Sequence, residues 1–168
     1  MKFEKNLILQ AKKLLQLSTK FKFKIKISSA ESCTGGLISA LITEISGSSA
    51  IFDCGFVTYS NEAKEKNLGV KIKTINQFGA VSKEVVAEMA IGAIKNSSAN
   101  LSIATTGISG PNGGSKQKPV GLVYIASFNS LNNNLIVEEF NFSGNRNENR
   151  ILTVKNALQI LINQINKL

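Results

Sequence analysis

Two adjacent side chains, Ser32 and Cys33, are of types that can act as nucleophiles. They lie in the segment AESCTGG, in which Thr34 and the pair Gly35 and Gly36 follow. The sequence contains no histidine, so the usual base that takes the proton from a catalytic serine or cysteine is missing. A cysteine in a buried turn is usually a small core residue, which favours Ser32 as the nucleophile. Its base must then be another side chain, and a lysine made neutral by burial is the practical candidate.

Lys64 is the lysine whose position fits that role best. It belongs to the segment TYSNEAK, which directly follows the second predicted strand and should lie at the same end of the sheet as Ser32. Tyr59, at the end of that strand, could share a proton with either residue. Two alternatives stay open at this point. Lys64 could be an exposed helical lysine, and Ser32 and Thr34 could simply cap the helix that follows them.

A second glycine-rich segment, ATTGISGPNGGSKQKPVG, predicts a rigid binding loop that offers backbone N–H groups and hydroxyls. A long flexible crossover is the alternative. Arg146 and Arg150 lie four residues apart near the start of the last predicted helix. They could form a fork for an anion, or lie on the solvated face of that helix.

The composition argues against metal and cofactor chemistry. With no histidine and with Asp53 as the only aspartate, neither an imidazole zinc site nor a carboxylate-rich two-metal site is expected. The two cysteines have no metal-binding or redox spacing, and neither glycine-rich segment matches a phosphate-binding loop or a dinucleotide fingerprint. The sequence therefore predicts a reaction without metal or cofactor, or no reaction at all.

The chain has 168 residues, of which 43% are hydrophobic and 18% charged, and this composition predicts one soluble globular domain over residues 1–168. No apolar run is long enough for a membrane span or a signal peptide, so we expect a cytoplasmic protein without a membrane partner. The net charge is +9, and residues 1–30 hold eight lysines and one glutamate. We expect this end to be a solvated face and nucleic acid not to be a partner; the alternative is a nucleic-acid-binding module.

The order of predicted elements indicates the fold class. The segment KFKIKIS alternates lysine with apolar residues and predicts a half-buried strand near a sheet edge. Helices and strands alternate as far as LSIATTG, and LVYIASF and LIVEEFNF then follow without a helix between them, which predicts an antiparallel pair. The pattern is typical of a three-layer α/β/α sandwich with a mixed, mostly parallel sheet. Both glycine-rich turns should lie at carboxyl ends of strands and form one site.

Six segments occur in the order and spacing of a known family, and the resemblance extends over nearly the whole chain. They are AESCTGG, VTYSNEAK, FGAVSKE, ATTGISGPNGG, KPVG and FSGNRNENR. Together they resemble the C-terminal domain of competence/damage-inducible CinA proteins. The resemblance implies a three-layer α/β/α fold and a metal-independent amidohydrolase, usually dimeric. The implied reaction converts nicotinamide mononucleotide to nicotinate mononucleotide and ammonia in pyridine nucleotide salvage.

The resemblance also implies roles for single residues. Ser32 matches the nucleophile, Lys64 the base and Tyr59 an assisting phenol. The residues that match the turn around the oxyanion are Cys33, Thr34, Gly35 and Gly36. The residues implied to bind substrate are Glu31, Thr105, Gly107, Ser109, Gly110 and Arg146.

The chain departs from the family pattern at two positions. Ser109 stands where alanine is commoner, and Asn145 stands where aspartate often precedes the arginine. The chain is also too short for the molybdopterin-binding-like domain that precedes this one in full-length CinA proteins, so activities of that domain are not expected. The alternative to an amidase is a non-catalytic nucleotide-binding or regulatory module that keeps the pocket.

Overall fold

The computed structural model describes residues 3–168, whose helices and strands follow the predicted order except for one additional α-helix, Ile72–Phe78, which the sequence did not predict. The helices are α1 (Lys5–Ser18), α2 (Leu37–Thr43), α3 (Asn61–Leu68), α4 (Ile72–Phe78), α5 (Lys83–Lys95) and α6 (Arg146–Ile165), with a short 3₁₀ helix at Ser48–Ala50. The strands are β1 (Ile27–Glu31), β2 (Phe52–Val57), β3 (Leu101–Gly107), β4 (Leu122–Asn129) and β5 (Asn134–Asn141).

The five strands form one mixed sheet in the order β2-β1-β3-β4-β5. β1 pairs in parallel with both β2 and β3, whereas β4 pairs antiparallel with β3 and with β5. The predicted antiparallel pair β4–β5 is therefore confirmed. Since β1, β2 and β3 are parallel, their carboxyl ends meet at one edge of the sheet, where ligands bind in folds of this type.

Alternate side chains of the strands enter two separate cores. On one face Ile27, Ile103 and Ile125 pack with helices α1, α2 and α6. On the other face the small side chains of Ala30, Ala104 and Ala126 pack against α3, α4 and α5. Because both faces of the sheet are covered by helices, the predicted three-layer α/β/α architecture is confirmed.

The prediction of an edge strand over KFKIKIS is wrong. β1 begins only at Ile27 and lies inside the sheet between β2 and β3, and all of its five residues are buried. A segment with a lysine at every second position cannot be buried on both faces, so residues 19–26 lie before the strand, where the Phe21 and Phe23 rings pack 5.2 Å apart. The parallel edge is β2, whose burial alternates along the strand.

The C-terminal end of α3 and the N-terminal end of α5 lie where the local sequence signals predict them. The Ser82 hydroxyl accepts a hydrogen bond from the Val85 N–H and caps α5, as predicted. Gly69, with φ of 68°, ends α3 in the left-handed conformation that glycine adopts readily, also as predicted. No helix within residues 3–168 is long and apolar enough to cross a membrane.

Gly92 in α5 provides a test of the packing between α5 and α3. A Cβ at this position would collide with the backbone carbonyl of Leu68, so alanine, normally the better helix former, must push the two helices apart. We expect Gly92→Ala to lower the free energy of unfolding by roughly 1–3 kcal/mol in denaturant titration. Lys83→Ala, at an exposed position of the same helix, should stay within about 0.5 kcal/mol of the native protein. An unchanged or higher stability for Gly92→Ala would contradict this packing.

Candidate active site

The two glycine-rich segments meet at the carboxyl ends of β1 and β3, as expected. The Ser32 N–H donates to the Thr105 carbonyl at 3.0 Å, and the hydroxyls of Thr34 and Thr105 lie 2.9 Å apart. Thr34 and Thr105 are fully buried, and Thr105 does not line the cavity described below. These two threonines therefore fix the nucleophile turn to the neighbouring strand.

Glu31, the last residue of β1, caps helix α2. Its carboxylate is fully buried and accepts hydrogen bonds from the N–H groups of Gly36 and Ile38 at 3.0 Å and of Ser39 at 2.9 Å. The hydroxyl of Ser39 donates to the same carboxylate at 2.8 Å. The structure thus places Glu31 among the groups that build the site and away from the residues that line the cavity, although it was expected to bind substrate.

Because Glu31 provides the cap, the side chain of Ser32 is not needed to cap α2. The N-cap position of α2 is Gly36, which has no side chain to cap the helix, and neither Ser32 nor Thr34 caps it. Gly35 and Gly36 have φ of 60° and 92°, values that glycine adopts without strain, and they allow the chain to turn from β1 into α2. The alternative in which Ser32 serves only as a helix cap is therefore wrong.

The backbone N–H groups of the turn differ in availability. The Gly35 N–H donates to the Ser32 carbonyl, and the Gly36 N–H is taken by Glu31. Among the described residues, the N–H groups of Cys33 and Thr34, which directly follow the nucleophile candidate, have no acceptor. Free donors beside a nucleophile are one requirement of an oxyanion hole. Of these two residues, only Cys33 lines the cavity described below.

Lys64 lies in the interior with its amine against Ser32. Only 1% of its surface is exposed, and its Nζ lies 3.0 Å from Ser32 Oγ. The same nitrogen donates to the carbonyls of Thr58 at 2.8 Å and Tyr59 at 3.1 Å. A neutral amine has two N–H groups and one lone pair, so with both N–H groups on carbonyls the lone pair can accept the Ser32 hydroxyl proton.

Burial sets the protonation of the two candidates beside Ser32 in opposite directions. Burial lowers the pKa of Lys64 from its ordinary value of 10.5, because the charged form loses its hydration. Burial raises the pKa of Cys33 to about 12, which keeps the thiol protonated. The amine is thereby favoured as a base, and the thiol is disfavoured as a nucleophile.

Tyr59 and Arg146 lie at the rim of the site. The Tyr59 side chain is 63% exposed, and its Oη lies 3.4 Å from Arg146 Nη2. Tyr59 therefore meets Lys64 through its backbone carbonyl and Arg146 through its phenol. Arg146 also donates from Nη1 to the Gly110 carbonyl at 2.8 Å, which ties the first residue of α6 to the binding loop.

A cavity of about 270 Å³ opens beside Ser32. The catalytic candidates and the binding loop line it, together with Ala80 and Val81 from the α4–α5 connection. Among the predicted site residues, those that line it are Ser32, Cys33, Tyr59, Lys64, Gly107, Ser109, Gly110 and Arg146. The Ser109 hydroxyl is buried without a hydrogen-bond partner in the described part of the chain.

Long-range contacts complete the site, and one of them involves Asn149, which the sequence did not single out as functional. The Lys118 Nζ donates to the carbonyls of Phe78 and Val81 at 2.6 Å and so connects the binding loop to the α4–α5 connection. Asn149 donates to the Ser109 carbonyl at 3.1 Å. Arg150 does not form a fork with Arg146; its guanidinium donates to the Thr34 carbonyl at 2.8 Å.

Across residues 3–168, no three His, Cys, Asp or Glu side chains lie close enough together to hold a metal ion. Cys33 and Cys54 are both free thiols. The groups that the described residues offer for chemistry at this site are a serine hydroxyl, a buried lysine amine and two backbone N–H groups without acceptors.

Residues 10–165 match the model of the CinA C-terminal domain. The chain belongs to this family. A CinA-like protein of Endomicrobium trichonymphae is 54% identical over 138 residues, which cover 82% of this chain and 32% of that protein. The chain spans about one third of the length of the curated relatives it matches.

Solved structures of the CinA superfamily share the whole fold. The competence/damage inducible protein CihA from Agrobacterium tumefaciens is 43% identical, with a TM-score of 0.92 over 99% of each chain. A CinA superfamily protein from Klebsiella pneumoniae is 27% identical, with a TM-score of 0.91 over 98% of this chain and 100% of the other.

The buried cap of Glu31 generates a prediction. Glu31→Gln replaces one acceptor oxygen by an NH₂ group that must face the backbone N–H groups of α2, so we expect the free energy of unfolding to fall by roughly 2–4 kcal/mol. Glu44→Gln makes the same change at the exposed C-terminal end of α2 and should have little effect. Denaturant titration of both variants decides the matter, and equal stabilities would show that the Glu31 contacts do not hold α2.

Proposed function

We propose that this CinA-family chain is a nicotinamide-nucleotide amidase that hydrolyses nicotinamide mononucleotide to nicotinate mononucleotide and ammonia. The observation that carries the proposal is the 3.0 Å contact between Ser32 Oγ and the buried amine of Lys64. A serine beside a base, at the edge of a cavity, is the arrangement of nucleophilic acyl transfer. This contact supports the reaction class, and the resemblance to the family suggests the particular substrate.

The side chains can perform both halves of the hydrolysis. Ser32 Oγ attacks the carboxamide carbon while the neutral Lys64 amine takes its proton. The oxyanion accepts hydrogen bonds from the N–H groups of Cys33 and Thr34, and the intermediate collapses when Lys64 returns the proton to the departing ammonia. Water, deprotonated by Lys64, then cleaves the acyl ester, which releases the carboxylate and restores the Ser32 hydroxyl.

The electrostatics of the site favour a substrate whose anion lies at the rim. The N-terminus of α2 already receives the Glu31 carboxylate and offers no place for a second anion. Arg146 contacts the phenol end of Tyr59, whereas Lys64 contacts its backbone end. A phosphate beside Arg146 would lie on the far side of Tyr59 from the amine, where it raises the pKa of Lys64 less than a phosphate next to the amine would.

The alternative is a non-catalytic module that binds a nucleotide without hydrolysing it. Ammonia release from nicotinamide mononucleotide separates the two, because the module would bind the nucleotide and release none. A dimer and a cytoplasmic location, both expected from the sequence, remain predictions.

The adjacent pair Ser32 and Cys33 provides the most specific test of the nucleophile. We expect Ser32→Ala to abolish ammonia release while nucleotide binding, measured by calorimetry, persists. Cys33→Ala should keep most of the activity, because burial raises the pKa of the thiol to about 12. Activity in Ser32→Ala together with an inactive Cys33→Ser would reverse the assignment.

The base generates a pH prediction. Because the pKa of Lys64 is lowered below 10.5, the rate should rise with pH through a group that titrates below the ordinary lysine range, as the amine loses its proton. Lys64→Met and Lys64→Arg should lower the chemical step by about 10²-fold or more, and Lys64→Met should lack that limb.

Lys66→Met, which removes an exposed lysine from the same helix, is the matched control and should keep both the rate and the pH profile. Native-like turnover in both Lys64 variants would exclude Lys64 as the base and direct attention to Tyr59 or Lys118.

A further inference from the structure

We propose that the first two turns of α6 act as a clamp that positions the two halves of the site separately. In this clamp Arg150 positions the nucleophile turn, residues 32–36, and Asn149 positions the first part of the binding loop, residues 107–113. The kinetic consequences of the clamp rest on the proposed function, whereas its structural consequences do not.

Arg150 contacts the nucleophile turn directly. Its Nη2 donates to the Thr34 carbonyl at 2.8 Å, across 116 residues of chain. Gly35 lies against the same guanidinium, because a Cβ placed there would be 3.6 Å from Nη2. The contact restrains the peptide unit that joins Thr34 to Gly35, which directly follows the unit that carries the Thr34 N–H, a proposed oxyanion donor. Arg150 therefore acts on the chemical step through the turn.

Asn149 joins the binding loop to Gly144, which lies just before α6. It is fully buried, its Oδ1 accepts from the Gly144 N–H at 3.0 Å, and its Nδ2 donates to the Gly144 carbonyl at 2.8 Å. The same Nδ2 donates to the Ser109 carbonyl at 3.1 Å. Arg146 holds the next carbonyl of the loop, that of Gly110. Asn149 therefore acts on substrate binding through the loop.

The contacts share one rigid support. Residues 146, 149 and 150 are spaced as i, i+3 and i+4 and so lie on one face of α6. The helix begins with a capping box between Asn145 and Glu148, in which each side chain accepts a backbone N–H of the other residue. Asn145, where the family often has aspartate, thus keeps the capping function at this position. Since both glycine-rich segments are bonded to one capped helix, their separation is fixed by the helix.

The test uses the full chain with Arg150→Met, Arg150→Lys and Asn149→Ala. Lys155→Met and Asn147→Ala, at exposed positions of α6, are the matched controls. Acylation by p-nitrophenyl acetate, a small activated ester that needs the nucleophile turn but not the loop, is compared with kcat and KM for nicotinamide mononucleotide. Hydrogen–deuterium exchange of residues 32–36 and 107–113 is measured on the same proteins without substrate.

We expect Arg150→Met to lower ester acylation and kcat by about tenfold or more while KM changes by less than about threefold, because one restraint on the oxyanion donors is lost. Arg150→Lys, which can still donate to the carbonyl, should recover part of that rate. Asn149→Ala should raise KM by about tenfold and leave ester acylation within about threefold. Exchange should accelerate in residues 32–36 for Arg150→Met and in residues 107–113 for Asn149→Ala, with both controls native-like.

Two outcomes would overturn the clamp: exchange that accelerates in both segments with either variant, or native exchange and acylation in Arg150→Met. The Arg150 measurements decide this even if Asn149→Ala does not fold. The expected exchange pattern in a protein that releases no ammonia would support the clamp and contradict the proposed amidase function.

Discussion

The site depends on one constraint, which is that the amine of Lys64 is buried without a carboxylate to neutralise it. No acidic side chain in the described part of the chain lies within 4 Å of its Nζ, and the nitrogen contacts three backbone carbonyls and Ser32 Oγ instead. Carbonyl dipoles hold the amine in place without the full counter-charge that would keep it protonated. Burial lowers the pKa of Lys64 and so favours the neutral amine, which is the only form of lysine that can accept a proton.

The second constraint is the placement of charge around the turn. An α-helix N-terminus directly after a strand attracts anions, and in many α/β folds it binds the substrate phosphate. Here the chain supplies its own anion, Glu31, which satisfies three N–H groups of α2 and leaves those of Cys33 and Thr34 free. Because Glu31 caps α2, the N–H groups that follow Ser32 are not needed to bind a capping side chain. The turn that ends β1 thereby leaves backbone donors available for the oxyanion that we propose.

The sequence predicted the features that arise from local patterns. The alternation of helices and strands, the Ser82 cap, the Gly69 end of α3 and the meeting of both glycine-rich turns all follow from short-range signals. The placement of Lys64 near Ser32 followed from a topological argument, since both lie just after neighbouring parallel strands.

What the sequence could not supply depends on tertiary contacts. The burial of Lys64 results from the path of the chain after β2, which turns three carbonyls toward the amine, and no periodicity in the sequence indicates it. The resemblance led us to expect that Glu31 binds substrate. Its capping role is visible only in the folded turn, where three backbone N–H groups donate to its carboxylate. The Arg150 and Asn149 contacts span 116 and 40 residues, beyond any local pattern. The alternation of KFKIKIS predicted a strand over the whole segment. Because β1 is an interior strand and is buried on both faces, it begins only after these lysines.

The central claim is that Ser32 forms a covalent acyl intermediate with Lys64 as its base. The most direct measurement is acid quenching of the enzyme during turnover of nicotinamide mononucleotide, followed by mass spectrometry of the peptide that contains Ser32. The account predicts a mass increase equal to one nicotinoyl nucleotide acyl group, located on Ser32, which is absent in Ser32→Ala and strongly reduced in Lys64→Met. Steady ammonia release with no adduct on Ser32, or with the adduct on Cys33, would contradict it.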